Sequence, residues 1–493
     1  MKKILLMFVL VSFILSACRK GLTDLNNDPK NPSSVPSYTL FTNAEGALAN
    51  AIVSPSVNSN IFRLIEQQWT ETQYLNESYY QLNFRRQPDA LWTLFYTNTL
   101  ENFQQAKQYM VTDVTDAGMR KNETAITDIL QVYSYYYLVT TFGNIPYSQA
   151  LDITKPFPAY DDQKTIYYDL LTRLDADIAA LDPTADSFGA ADIIYAGDPV
   201  KWKTFANTLK LKMGLTIADF DNAKAKSVVE SAVAGGVFKS NADNASYGFL
   251  SGPPNTNPVW VNLVQSQRHD FVATSEFMTA LQVPAAGASS GFLDPRVPYY
   301  FAPNAAGLFI GAANGSGDGS IKYANFSMPS GPLLTKGSIG SLTNPDFPGL
   351  LLDYSETEFN LAEAVSRGYT VAGSVESHYN AGITASISYW TGGSATAYLA
   401  LPKVKFSTAT GTDLEKIAAQ EYLALYNRGW DAWIVNRRLD FPKLIPPASA
   451  FSAFPVRFTY PLSEQSVNVV NFNKAAVAIG GDKVTTRLFF DTK

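Results

Sequence analysis

The chain has 493 residues, long enough for one large domain or two to three ordinary ones with a substantial core. Its 38 Lys and Arg stand against 44 Asp and Glu, a net charge of −6 with no basic block, which argues against nucleic acid as a partner. A single cysteine excludes a disulfide within the chain, so the fold must be held by packing.

That cysteine, Cys18, points to where the chain works. Lys2 and Lys3 precede an apolar run from Ile4 to Leu15, followed by Ser16-Ala17-Cys18. A dozen apolar residues are too few for a membrane span, which needs about 20, and make an export signal instead. Leu15-Ser16-Ala17-Cys18 resembles a bacterial lipobox, in which the peptide is cut before the cysteine and the thiol is diacylated. Residues 1–17 are then a lipoprotein signal peptide and Cys18 is the lipidation site. Several acyl chains, each contributing about 0.8 kcal/mol per buried methylene, anchor a protein without a spanning helix. Residues 18–38, with Asn26-Asn27-Asp28-Pro29-Lys30-Asn31-Pro32, read as a turn-rich tether.

Helices are predicted from there on. Leu94 to Met110 and Ala125 to Val139 form the first pair, the second carrying Ile126, Ile129, Leu130, Tyr133 and Tyr137 at helical spacing. Asp161 or Asp162 caps the next helix, whose Ile166, Leu170, Leu174 and Ile178 make one stripe before Pro183 ends it. Its partner runs from Pro199 to Ala218 with Trp202, Phe205, Leu209 and Leu215 on its apolar face, and Ala223 to Val233 follows, closed by Gly235-Gly236. From 240 to 352 the texture turns to Gly, Pro, Ser and Asn, a loop-rich insert. Beyond it, Ser355 with Glu358 reads as a capping box for a helix stopped by Gly368, and Ser374 to Tyr389 and Asp413 to Tyr426 are further helices. The expected fold is mainly α: tetratricopeptide-like helix pairs at 39–239 and 353–436, stacked because one pair alone cannot bury its apolar face, around the insert.

Catalytic groups are scarce. The chain has two histidines, His269 and His378, far apart in sequence, which leaves little material for a histidine metal cluster or a Ser-His-Asp triad. Among the 44 acids nothing singles out a carboxylate pair. Asn314-Gly315-Ser316-Gly317-Asp318-Gly319-Ser320 alternates oxygen side chains as calcium loops do, but Asn325 stands where a bidentate glutamate is wanted, so it reads as a surface turn. No catalytic residue, metal or cofactor is expected.

Aromatic residues are plentiful: 27 Tyr, 30 Phe and 7 Trp make 13% of the chain. A sugar ring needs a flat aromatic face for its apolar side and Asn, Asp, Gln or Arg for its hydroxyls. Two segments offer that mixture. One is Gln73 to Gln81 with Asn83 and Arg85-Arg86, whose candidate ligand contacts are Tyr74, Tyr79 and Tyr80; the other is Asn255 to Trp260, with Asn257 and Trp260. Trp390, before Gly392-Gly393, is a third candidate.

Several segments together resemble the SusD/RagB family of outer-membrane nutrient-binding lipoproteins, in its SusD-like 2 branch. They are Asp24-Leu25-Asn26-Asn27-Asp28-Pro29, Phe142-Gly143-Asn144-Ile145-Pro146-Tyr147, Tyr195-Ala196-Gly197-Asp198 leading to Lys201-Trp202, Asp294-Pro295-Arg296, Leu361-Ala362-Glu363-Ala364, Arg437-Arg438 and Pro455 to Pro461. The resemblance implies a right-handed superhelical scaffold with a loop-rich ligand face. It implies a non-catalytic protein that binds glycans and passes them to a SusC-like TonB-dependent β-barrel transporter for import. A peptide-binding importer component, a surface glycan hydrolase and a protein-binding scaffold are the alternatives. Lipid attachment at the outer membrane, facing the exterior, is expected, although Arg19-Lys20 follow the anchor where family members often carry acids. The matched arginines, Arg296, Arg437, Arg438 and Arg457, are expected to pair with acids and helix carboxyl ends rather than hold ligand.

Overall fold

The computed structural model describes residues 35–291, 293–316, 322–330 and 341–493. Cys18, its signal peptide and most of the tether lie outside these residues. The first helix, α1 (Ser37–Val53), takes in the last two residues read as tether. α2 (Gln87–Thr93) runs through a π-helical stretch, Leu94–Leu100, into α3 (Glu101–Asp113), which packs on α1. α4 (Ala117–Phe142) is the central helix. It begins at the Asp116 carboxylate, which accepts from the Met119 N–H, and ends where Gly143 adopts φ +86°.

α4 is buried on every side along its second half, so Tyr133, Tyr135, Tyr136 and Tyr137 are all interior. Three of their hydroxyls find partners, as buried phenols do: Tyr133 donates to the Leu351 carbonyl, Tyr136 is hydrogen-bonded to the Thr216 hydroxyl at 3.0 Å, and Tyr137 donates to Asp431. α5 (Gln163–Ala180) lies along α4 and is capped by Asp162, which accepts from the N–H groups of Lys164 and Thr165. Asp161 instead accepts from the N–H groups of Tyr147 and Ser148, just beyond the Phe142-Gly143-Asn144 turn. α6 (Pro199–Thr216) pairs with α7 (Asn222–Gly235).

The insert leaves and returns at one stem. β2 (Ala245–Tyr247) pairs antiparallel with β4 (Gly349–Leu352), so its two ends are hydrogen-bonded together. Between them, β3 (Phe271–Ala273) pairs with β1 (Trp69–Glu71) from the amino-terminal half, and α8 (Ser275–Ala280) follows it. Helices then resume with α9 (Tyr354–Ser366), α10 (Val375–Thr391), α11 (Asp413–Ala424) and α12 (Gly429–Leu439). α9 and α10 are a pair, and α11 packs against both over Phe359, Tyr379, Ile383, Ile387 and Ile417. The mainly helical, tetratricopeptide-like architecture expected from sequence is thus what forms.

Capping differs from expectation in one place. α9 starts two residues earlier than a Ser355 cap requires, because the Asp353 carboxylate accepts from the Glu356 N–H. Ser355 instead donates to the Gly382 carbonyl of α10, and Glu358 pairs with His378 at 2.6 Å. The expected arginine pairs form inside the protein: Arg296 with Asp294 at 2.7 Å, Arg457 with Asp482 at 2.6 Å, and Arg438 with Glu363. Arg437 donates to the carbonyls of Thr140 and Val456, filling acceptors left over by its neighbours. No helix among the described residues is long and apolar enough to cross a membrane.

Candidate functional site

The polar, tyrosine-rich run after β1 is folded back by a reciprocal contact. The Glu71 carboxylate accepts from the Ser78 N–H at 2.9 Å, and the Ser78 hydroxyl accepts from the Glu71 N–H at 3.0 Å. Glu77, inside the same loop, takes Arg85 at 3.0 Å and the Gln87 amide at 2.6 Å. Burial pushes the Glu71 carboxyl up to about 9, and the neighbouring Glu77 adds to the effect.

This loop sends its tyrosines in different directions. Tyr74, at φ +58°, is 65% exposed. Tyr79 is half-buried, its ring against Gly315, which also abuts Pro447, and its carbonyl accepts from the Phe451 N–H at 2.8 Å. Gly315 is obligatory there, since a Cβ on it would lie 2.8 Å from the Tyr79 ring, at φ +60°. Tyr80 turns inward and is only 2% exposed; its hydroxyl accepts from the Gln67 amide at 2.8 Å.

Three expected contacts are thereby corrected to interior roles. Tyr80 is core. Asn257 is fully buried because it caps a short helical turn, accepting from the Val259 N–H at 2.7 Å and donating to the Phe347 carbonyl at 2.7 Å. Trp390 stands edge-on to Tyr300 at 4.9 Å and stacks with Phe347, deep in the packing of α10. Trp260 remains half-buried, in the turn Pro258–Trp260 rather than an open loop.

Sequence reasoning missed a stacked pair and a cleft. Exposed His269 lies flat on Tyr323, ring centroids 4.3 Å apart and planes within 10°. This pair adjoins the tyrosine loop, since Thr72 donates to the His269 carbonyl at 2.6 Å. Beside Gly315 opens a cleft of about 1090 Å³ between α8, residues 313–316, residues 402–420 and residues 441–448. Its rim carries Lys403, Lys416 and Lys443 with Glu276 and Glu415, charges of both signs. The Pro446-Pro447 pair was the available sequence signal, but nothing local says that it walls a cleft. Among the described residues no three His, Cys, Asp or Glu side chains gather as a metal site would require. Residues 317–320 of the Asn314 to Ser320 turn lie outside the described residues.

Solved structures share this fold. A chitin-binding SusD homolog from Flavobacterium johnsoniae superposes with a TM-score of 0.76 at 21% identity, covering 93% of this chain and 99% of its own. A SusD homolog from Parabacteroides distasonis gives 0.78 at 21% identity, covering 92% and 98%. A protein described as chitin-binding gives 0.75 at 24% identity, covering 93% and 100%. A search of curated proteins returns no match. The model of the SusD-like family described as starch-binding and associating with the outer membrane matches residues 29–461, and this chain belongs to that family.

Proposed function

We propose that this chain is an outer-membrane lipoprotein, anchored through Cys18, that captures glycans on its insert face and passes them to a TonB-dependent β-barrel transporter. Family membership over residues 29–461 supports the class. The observation that carries the reading is a cleft of about 1090 Å³ whose Gly315 lies against the half-buried ring of Tyr79, in the same loop as the exposed Tyr74 and the Thr72 that bonds to the His269–Tyr323 segment. Rings of this kind take the apolar faces of sugars, and the cleft is of a size to hold several. The names of two structural relatives make chitin oligosaccharides the first ligands to try.

The test is calorimetric titration of the mature protein with a panel of neutral and acidic oligosaccharides, with chromatography of the ligand before and after incubation. Binding without cleavage is expected. Release of shorter products, abolished by one carboxylate-to-amide change, would establish a hydrolase instead; binding confined to oligopeptides would establish the peptide importer.

A further inference from the structure

Three polar atoms on the cleft wall have no hydrogen-bond partner among the described residues. Asn314 is only 7% exposed, yet neither Nδ2 nor Oδ1 of its amide meets a hydrogen-bonding group. Gln67 is fully buried; its Nε2 is committed to the Tyr80 hydroxyl and the Ile445 carbonyl, both at 2.8 Å, and its Oε1 is left without a donor. Both residues line the same cleft, and the backbone of Gln67 is held at φ +52°. Buried polar groups are paired in more than about nine cases in ten, because an unpaired one forfeits its hydration. Two unpartnered amides on one cleft are what remains when the partner is a ligand.

Their chemistry narrows that ligand. Gln67 Oε1 needs a donor and Asn314 Nδ2 needs an acceptor, supplied by two separate side chains. A secondary amide in its trans form points its N–H and its C=O in opposite directions, so it suits two side chains rather than the single edge of one. Leu444, Pro446, Pro447 and Ala313, on the same cleft, offer apolar surface for a methyl group. The mixed charges at the rim favour a neutral molecule over an acidic one.

We infer that this cleft is an amide-recognition subsite, in which Asn314 Nδ2 donates to the carbonyl, and Gln67 Oε1 accepts from the N–H, of an acetamido group on a neutral amino sugar. Asn314 Oδ1 then accepts from an adjacent hydroxyl. The assignment rests on the glycan-capture reading and adds its specificity: the protein reads the substituent that distinguishes an N-acetylated sugar from its plain counterpart. A site built to pair a polar group rejects a ligand lacking it, because its own buried atoms stay unpaired.

Chitotetraose and cellotetraose share a backbone and differ in that substituent, so their affinities for the mature protein, measured by calorimetry, test the assignment. The wild type is expected to prefer chitotetraose by about tenfold or more. Asn314→Ala should bring the ratio close to one while melting no lower than the wild type, since it removes two unpaired buried atoms. If Asn314→Ala melts lower, Asn314→Asp, the same shape without the donor, decides the matter by the same ratio. Equal binding by the wild type, a preference untouched in both variants, or stronger binding of an N-acetylated tetra-alanine amide than of chitotetraose would overturn the assignment. Should the protein bind other glycans but neither of these, the subsite fails and glycan capture stands; if it binds no glycan, both fail.

Discussion

Arg428 donates to Glu356 across 2.6 Å, and Lys212, from the far side of the insert, lies 2.7 Å from the same carboxylate. Arg428 also meets Asp431 at 2.9 Å and Asp353 at 3.1 Å, and Lys212 meets Asp431, which accepts from the Tyr137 hydroxyl as well. The cluster ties α4, α6, α9 and the start of α12 into one body beneath the insert. Burial opposes every charge in it; even so, Arg428 and Lys212 hold Asp431 below its usual range, and Asp431 with Glu356 holds Lys212 above its own.

Removing one member strands the others. Asp431→Ala is therefore expected to destabilise the protein by about 3–5 kcal/mol, far more than any surface pair would. Urea unfolding should show the midpoint falling with an unchanged slope; a loss under about 1 kcal/mol would mean that the cluster does not hold the helices together.

Tyr74 and Trp390 provide a contrast between surface and core. Tyr74 is exposed, so Tyr74→Ala should move stability by no more than about 0.5 kcal/mol while weakening glycan binding about tenfold. Trp390 is 4% exposed among Tyr300, Phe347 and Tyr426, so Trp390→Ala should cost about 3–5 kcal/mol. Paired melting and titration measurements separate the two effects.

Stability should fall as pH rises from mildly acidic to alkaline. Burial pushes Glu66 and Glu421 up to about 8 and Asp177 and Glu71 up to about 9, with Asp128 assisting at Asp177 and Glu77 at Glu71. A raised carboxyl binds its proton more tightly folded than unfolded, so its contribution is complete below the ordinary carboxylate range and is lost as pH climbs through the folded value. Denaturation between about pH 5 and about pH 9 should trace this decline, and Glu71→Gln should flatten it. Because Glu71 closes the loop that carries Tyr74 and Tyr79, glycan affinity should decline over the alkaline part of the same window. A wild-type stability that rises with pH there would contradict the assignment.

Attachment and orientation are separable. Cys18→Ser should move the protein from the membrane fraction to the soluble one after cell disruption. Protease shaving of intact cells should then remove the wild-type protein if it faces outward despite Arg19-Lys20.

The sequence by itself determined the helices and where many of them start. Hydrogen bonds four residues apart make helical periodicity and capping local properties, so Asp162, Ser374 with Val375–Thr391, and Thr412 with Asp413–Ala424 sit at or next to their expected starts. Even locally there was competition: Asp353 and Ser355 are both good caps, and packing of Ser355 against α10 decided between them. Tertiary structure alone decided which aromatic and amide groups are exposed or line the cleft and which are closed in. Tyr74 and Tyr80 stand in one polar run, yet one is exposed and the other closed in by Gln67, while Asn257 is buried by a carbonyl from Phe347, far along the chain. Burial of a loop side chain depends on partners that no short window contains. The unpaired amides of Gln67 and Asn314 meet on one cleft only because β1 and the insert fold against each other.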